Sequence, residues 1–83
     1  MKKNITINLY GSLYAIDEDA SKLLEQYLDN MRCYFSQREG GDEIADDIEH
    51  RVAELFSQLK AEGFKAINID HVQDIITRIG NPE

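Results

Sequence analysis

The chain has little of what usually marks chemistry, export or a membrane. Its one cysteine, Cys33, cannot form an intrachain disulfide, so nothing points to an oxidising compartment and a reducing one is the simpler assumption. Cations are scarce: nine Lys and Arg stand against sixteen Asp and Glu, a formal net charge of −7. A surface of that sign repels phosphate backbones and anionic head groups, which disfavours direct binding to nucleic acid or to a membrane surface. Long apolar runs are missing too. The longest, Leu13 to Ile16, is far short of the roughly 20 residues that a bilayer-spanning helix needs. Met1, Lys2 and Lys3 look like the basic start of a signal peptide, but Asn4, Thr6 and Asn8 break up the next stretch and no apolar h-region appears. A glycine-rich phosphate loop is absent, since Gly40 and Gly41 precede an acidic helix with no Lys and no suitable glycine spacing.

What is present is a small, helix-rich body. With 83 residues, 42% hydrophobic and 30% charged, the composition fits one folded domain spanning 1–83. A domain of this size buries only about 60% of the surface its unfolded chain exposes, so nearly every apolar side chain is needed for one core. Few remain to line a deep pocket. The enzyme class therefore loses, and no catalytic residue, cofactor or metal ligand is assigned.

Ile5, Ile7 and Leu9 alternate with Thr6 and Asn8, the period of a half-buried strand. Tyr10, Gly11 and Ser12 supply a turn, and Leu13 to Ile16 a second β-prone run, so 5–16 reads as a hairpin. Asp17 is a good N-cap for helix one, 18–36, with Glu18 and Asp19 at the positive end of its dipole. Ala20, Leu23, Leu24, Tyr27, Leu28, Met31, Tyr34 and Phe35 build its apolar stripe, with Cys33 on the flank. Two adjacent glycines end it. Asp42 is the expected cap of helix two, 43–62, whose apolar positions run from Ile44 through Ile48, Val52, Leu55 and Phe56 to Leu59. Asp46, Asp47, His50, Glu54 and Ser57 form the opposite, acidic face, with Asp47 and Arg51 spaced for an ion pair. Residues 64–69 read as a loop or a third short strand. Asp70, with Gln73 at the capping-box position, is expected to start helix three, 71–79; Gly80 stops it and Pro82 forbids continuation. The expected fold class is α+β, a hairpin packed on three helices in the order ββααα.

The candidate constellations are permissive. Asp46, His50 and Glu54 at i, i+4 and i+8 could face one metal ion, but they lie where a solvated face is expected and no second ligand set accompanies them. A nucleophilic dyad of Cys33 with His50 or His71 would need convergence in space, and only Arg32 lies near to activate the thiol. His71 is expected to be exposed, and the seven Tyr and Phe residues to serve the core. A helix-turn-helix formed by helices two and three would make a poor groove reader, with only Arg78 as a cation beside Asp74. An open apolar groove or a free sheet edge is the remaining prospect, for a partner protein or for a second copy joining through the hairpin.

Several stretches carry a resemblance. Lys2 to Leu9, Ile16 to Ala20, then Leu24, Tyr27, Leu28 and Phe35, are followed by Glu43, Ile44, Asp47, Ile48, Glu49, Arg51, Val52, Glu54, Leu55 and Phe56 and the ending Ile79, Gly80, Asn81, Pro82. Together they resemble the N-terminal cytoplasmic segment of PspC-domain proteins of the Bacteroidota type, regulators of envelope (phage-shock) stress. The second half is also similar to the short helical HAAS-type signalling modules that precede bacterial transmembrane segments. The resemblance implies a non-catalytic regulatory domain on the cytoplasmic side of the inner membrane. It would be excised from a longer protein, tethered by a PspC region that follows Glu83, and would act through a protein partner.

Overall fold

A computed structural model describes residues 3–80, which form a two-stranded antiparallel hairpin followed by three helices. The basic start at Met1 and Lys2 and the Asn81, Pro82, Glu83 ending lie outside the described residues. Strand β1 is Asn4–Leu9 and β2 is Ser12–Asp17, paired in register from Asn4 with Asp17 to Leu9 with Ser12. The two-residue loop has positive φ at both Tyr10 (52°) and Gly11 (85°), the handedness of a type I′ turn, which matches the twist of the strands. Gly11 adopts this freely, whereas Tyr10 does so under strain. Asn8 eases the turn by accepting from the Gly11 N–H through Oδ1 at 2.9 Å.

Helix α1 is Glu18–Phe35, α2 is Gly41–Ala61 and α3 is Ile69–Ile79. The α+β class and the ββααα order are as the sequence predicts, but two helix starts are earlier. Gly41 is the first residue of α2 rather than punctuation, and Gly40, in the left-handed region at φ 73°, takes the N-cap place expected of Asp42. The reason is contact: a Cβ on Gly41 would strike the carbonyl oxygen of Phe35 at the end of α1. Only glycine permits the two helices to meet so closely. At the start of α3, Asn68 replaces Asp70 as the cap. Its Oδ1 accepts from the His71 N–H at 2.9 Å, and the Asn68 N–H donates to His71 Nδ1 at 3.1 Å. A histidine thus does the reciprocal work usually given to Glu or Gln. Its ring is half-buried against Phe64, centroids 4.6 Å apart, rather than free in solvent.

The core lies where β2 meets all three helices. Ile16, Val52, Phe56 and Val72 are fully buried, with Leu24 and Ile75 closing around them. Complete burial of such a side chain stabilises by about 1.5–3 kcal/mol. Not every aromatic contributes: Tyr14, Tyr27 and Phe56 are buried, Tyr34 and Phe35 half-buried, and Tyr10 and Phe64 exposed. Tyr34 and Phe35 come late on α1, beyond the hairpin's cover, and Tyr34 is engaged by Arg38, 4.5 Å from guanidinium carbon to ring centroid. The 64–69 stretch supplies a single rung rather than a strand. Ile67 bridges Ile16 in parallel, its N–H donating to Ala15 O and its carbonyl accepting from Asp17 N–H, both at 2.9 Å.

Candidate functional site

Two surfaces stand out once the core is accounted for. The first is the junction of the hairpin turn with α2. The strained Tyr10 backbone throws its ring onto the acidic face of that helix, 3.7 Å from the His50 ring between centroids. Its hydroxyl lies 2.9 Å from both Asp46 Oδ1 and Glu49 Oε2. One phenolic proton serves two carboxylates, so Glu49 needs another donor, and Arg32 of α1 provides it at 2.8 Å. Partial desolvation of the ring, then the hydrogen bonds to Glu49 and Asp46, raise the Tyr10 phenol above its ordinary value. The Glu49 hydrogen bond and charge likewise push the Arg32 guanidinium up. Three elements are joined here by the Tyr10–His50 ring contact and by polar groups, and the acidic face of α2 is partly covered instead of wholly solvated.

This junction also settles where the permissive Asp46, His50 and Glu54 set lies. Asp46 is turned to Tyr10 and to His50, whose Nε2 lies 3.6 Å from Asp46 Oδ2, while Glu54 lines the shallow recess beneath Leu9, Ser12 and Tyr14. Among the described residues, no three His, Cys, Asp or Glu side chains are grouped to hold a metal ion. Cys33 is exposed on α1, His50 meets the Tyr10 ring edge-on, and His71 is committed to the α3 cap. These three residues belong to three different settings. Asp47 and Arg51 do not pair; the i,i+4 contact on this face of α2 is His50 Nε2 with Asp46 Oδ2 at 3.6 Å.

The second surface is the groove between α2 and the end of α3. Ile44, Ile48 and Ile79 form its floor, and Asp47, Arg51 and Arg78 its rim. Ile44 begins the apolar stripe of α2 but is 42% exposed, because α3 ends before covering it. Arg78 is held by Asp74 at 3.0 Å, while no described residue pairs with Arg51. Behind the groove, the end of α3 is fastened to α1: Tyr27, buried, donates through its hydroxyl to the Gly80 carbonyl at 2.6 Å. Burial raises the Tyr27 phenol above its ordinary value. The Tyr27–Gly80 bond holds the α3 end of the groove against α1. Sequence periodicity put Ile44 on the core face, and the signal that could have found the groove was the shortness of α3 beside a longer α2. No helix among the described residues is long and apolar enough to cross a membrane. Comparisons of the chain with protein-family models, with curated proteins and with solved structures find no match.

Proposed function

We propose that the chain is a non-catalytic regulatory domain of a membrane-tethered, PspC-like envelope-stress protein, and that it docks an acidic amphipathic segment of a partner protein in the α2–α3 groove. The observation that carries this reading is the composition of the groove. An isoleucine floor rimmed by Arg51 and Arg78, with Asp47 beside them, stands on a chain whose net charge is −7. An amphipathic helix would seat its apolar side on Ile44, Ile48 and Ile79 and offer carboxylates to Arg51, which pairs with no described residue, the mode by which helices bind apolar grooves. Nothing in the arrangement of Cys33, His50 and His71 competes with it by offering a nucleophile and a base in reach of one another. The resemblance to the PspC-type segment supplies the regulatory role and the cytoplasmic, membrane-adjacent setting.

The test is site-specific photocrosslinking in cells from position 44, in the full-length gene product, with Glu25 on the exposed side of α1 as the control position. A discrete crosslinked protein whose crosslinked peptide is acidic and amphipathic, lost on Arg51→Glu, is the expected result. Equal labelling from positions 44 and 25 removes the groove as the docking site. The encoded sequence beyond Glu83 is expected to contain a PspC region with hydrophobic spans, and a different region there removes the tether.

A further inference from the structure

The two edges of the hairpin are finished differently. The outer edge of β2 is partly closed: Ala15 O and Asp17 N–H are bonded to Ile67, and Leu13 O accepts from Lys60 Nζ at 3.2 Å. Their register partners on β1 are Thr6, Asn4 and Asn8. In an antiparallel pair, residues whose backbone groups face away from the partner strand sit opposite one another. The N–H and C=O of Asn4, Thr6 and Asn8 therefore point off the free edge of β1. The Lys3 carbonyl, which accepts from Glu18 N–H at 2.7 Å, fixes the same phase from the other set of residues. No described residue bonds the outward backbone groups of Asn4, Thr6 and Asn8. The edge also lacks the usual protections: 4–9 contains no Lys, no Pro, no inward charge and no bulge.

We propose that a second copy of this chain occupies this edge, antiparallel to it, with the two-fold axis passing through Ile7. The pleat selects the register. Ile5, Ile7 and Leu9 share the face of β1 that looks toward the helices, so opposite residues must both be odd-numbered for apolar side chains to meet. Centring on Ile7 sets Ile5 against the partner's Leu9 and Ile7 against the partner's Ile7. Thr6 and the partner's Asn8 then form a hydrogen-bonded pair, repeated by symmetry, and every outward group used is one that no described residue bonds. Charge selects a second copy over an unrelated strand. The strand from Asn4 to Leu9 is uncharged on a chain of net charge −7, so two copies approach along it without meeting carboxylates. Lys3 of each copy falls opposite the partner's Gly11, beside the Tyr10 turn that rests on Asp46 and Glu49. The result is a four-stranded sheet that covers Ile5, which is 39% exposed in the single chain. The α2–α3 groove takes no part in this dimer.

Sedimentation equilibrium up to about 1 mM protein, combined with amide hydrogen exchange at several concentrations, tests it. A monomer–dimer equilibrium is expected, with the Thr6 and Asn8 amides gaining protection as dimer forms while Ile5 and Ile7, bonded to β2, are protected throughout. Thr6→Pro removes the outward donor on both copies at an edge position that tolerates proline, and weakens the dimer about tenfold or more. Ile7→Cys in a Cys33→Ser background forms an interchain disulfide on oxidation, because only position 7 faces itself. Monomer alone at about 1 mM overturns the proposal. So does a dimer whose Thr6 and Asn8 amides stay unprotected, or one broken by Ile44→Glu and not by Thr6→Pro, since that dimer would use the groove.

Discussion

The two strands of the hairpin carry the same kind of sequence and lie side by side, yet they do different work. Ile16 on β2 is completely buried, while Ile5, its register partner on β1, is 39% exposed on the same face. The helices explain the gap: α1, α2 and the Ile67 rung converge on β2, which becomes the middle of the molecule, while β1 is left as its rim. Alternation states which face of a strand is apolar. How deeply that face is buried is decided by the elements packed on it, and period alone does not encode that.

Altering both isoleucines puts the contrast to its most severe test. Ile16→Ala is expected to cost about 2–5 kcal/mol in chemical denaturation. Losses of equal size from Ile16→Ala and from Ile5→Thr would erase the distinction between centre and rim. A smaller effect probes how the rim is fastened. Tyr10→Phe keeps the ring on α2 and deletes the hydroxyl shared by Asp46 and Glu49, for an expected loss of about 0.5–1.5 kcal/mol. An unchanged denaturation midpoint would show that the turn is held by ring contact alone.

The same hydroxyl gives the contrast a pH axis. Because its folded value lies above the unfolded one of about 10, the contribution of Tyr10 is complete below that pH and is lost as the pH rises from there through the folded value. Ultraviolet titration should show one late phenolate missing from Tyr10→Phe, and titration of that phenol at the ordinary value would contradict the docked geometry. The smallest effect belongs to β1 itself: Ile5→Thr, which keeps strand propensity, should cost about 0.5–1 kcal/mol in dilute protein. A loss that grows with protein concentration would show β1 acquiring a neighbour.

Much of the architecture was legible in the sequence because period and punctuation agree. Asp17 stands at the N-cap of α1, the Tyr10–Gly11 turn is flanked by alternating strands, and Gly80 follows Ile79. The starts of α2 and α3 were not, for two physical reasons. Gly41 belongs to its helix because of what it touches across the joint, a tertiary contact that no local propensity contains. Asn68 outcompetes Asp70 because a histidine three residues later can complete the reciprocal bond, a pairing outside the Glu or Gln pattern. The surfaces were harder still. Tyr10, assigned to the core by residue type, proved to be the bolt between turn and helix, since a left-handed aromatic aims its ring where an extended one would not. Among the described residues Arg51 stands alone because its expected partner Asp47 does not reach it, and the exposure of Ile44 depends on where α3 stops.

The glycine at the head of α2 has a mechanical consequence. With its bare α-carbon already pressed against the end of α1, the elbow between these helices has no slack on its inner side. Load transmitted through the bundle can spread that elbow but cannot fold it tighter, so the joint yields in one direction only, like a stopped hinge.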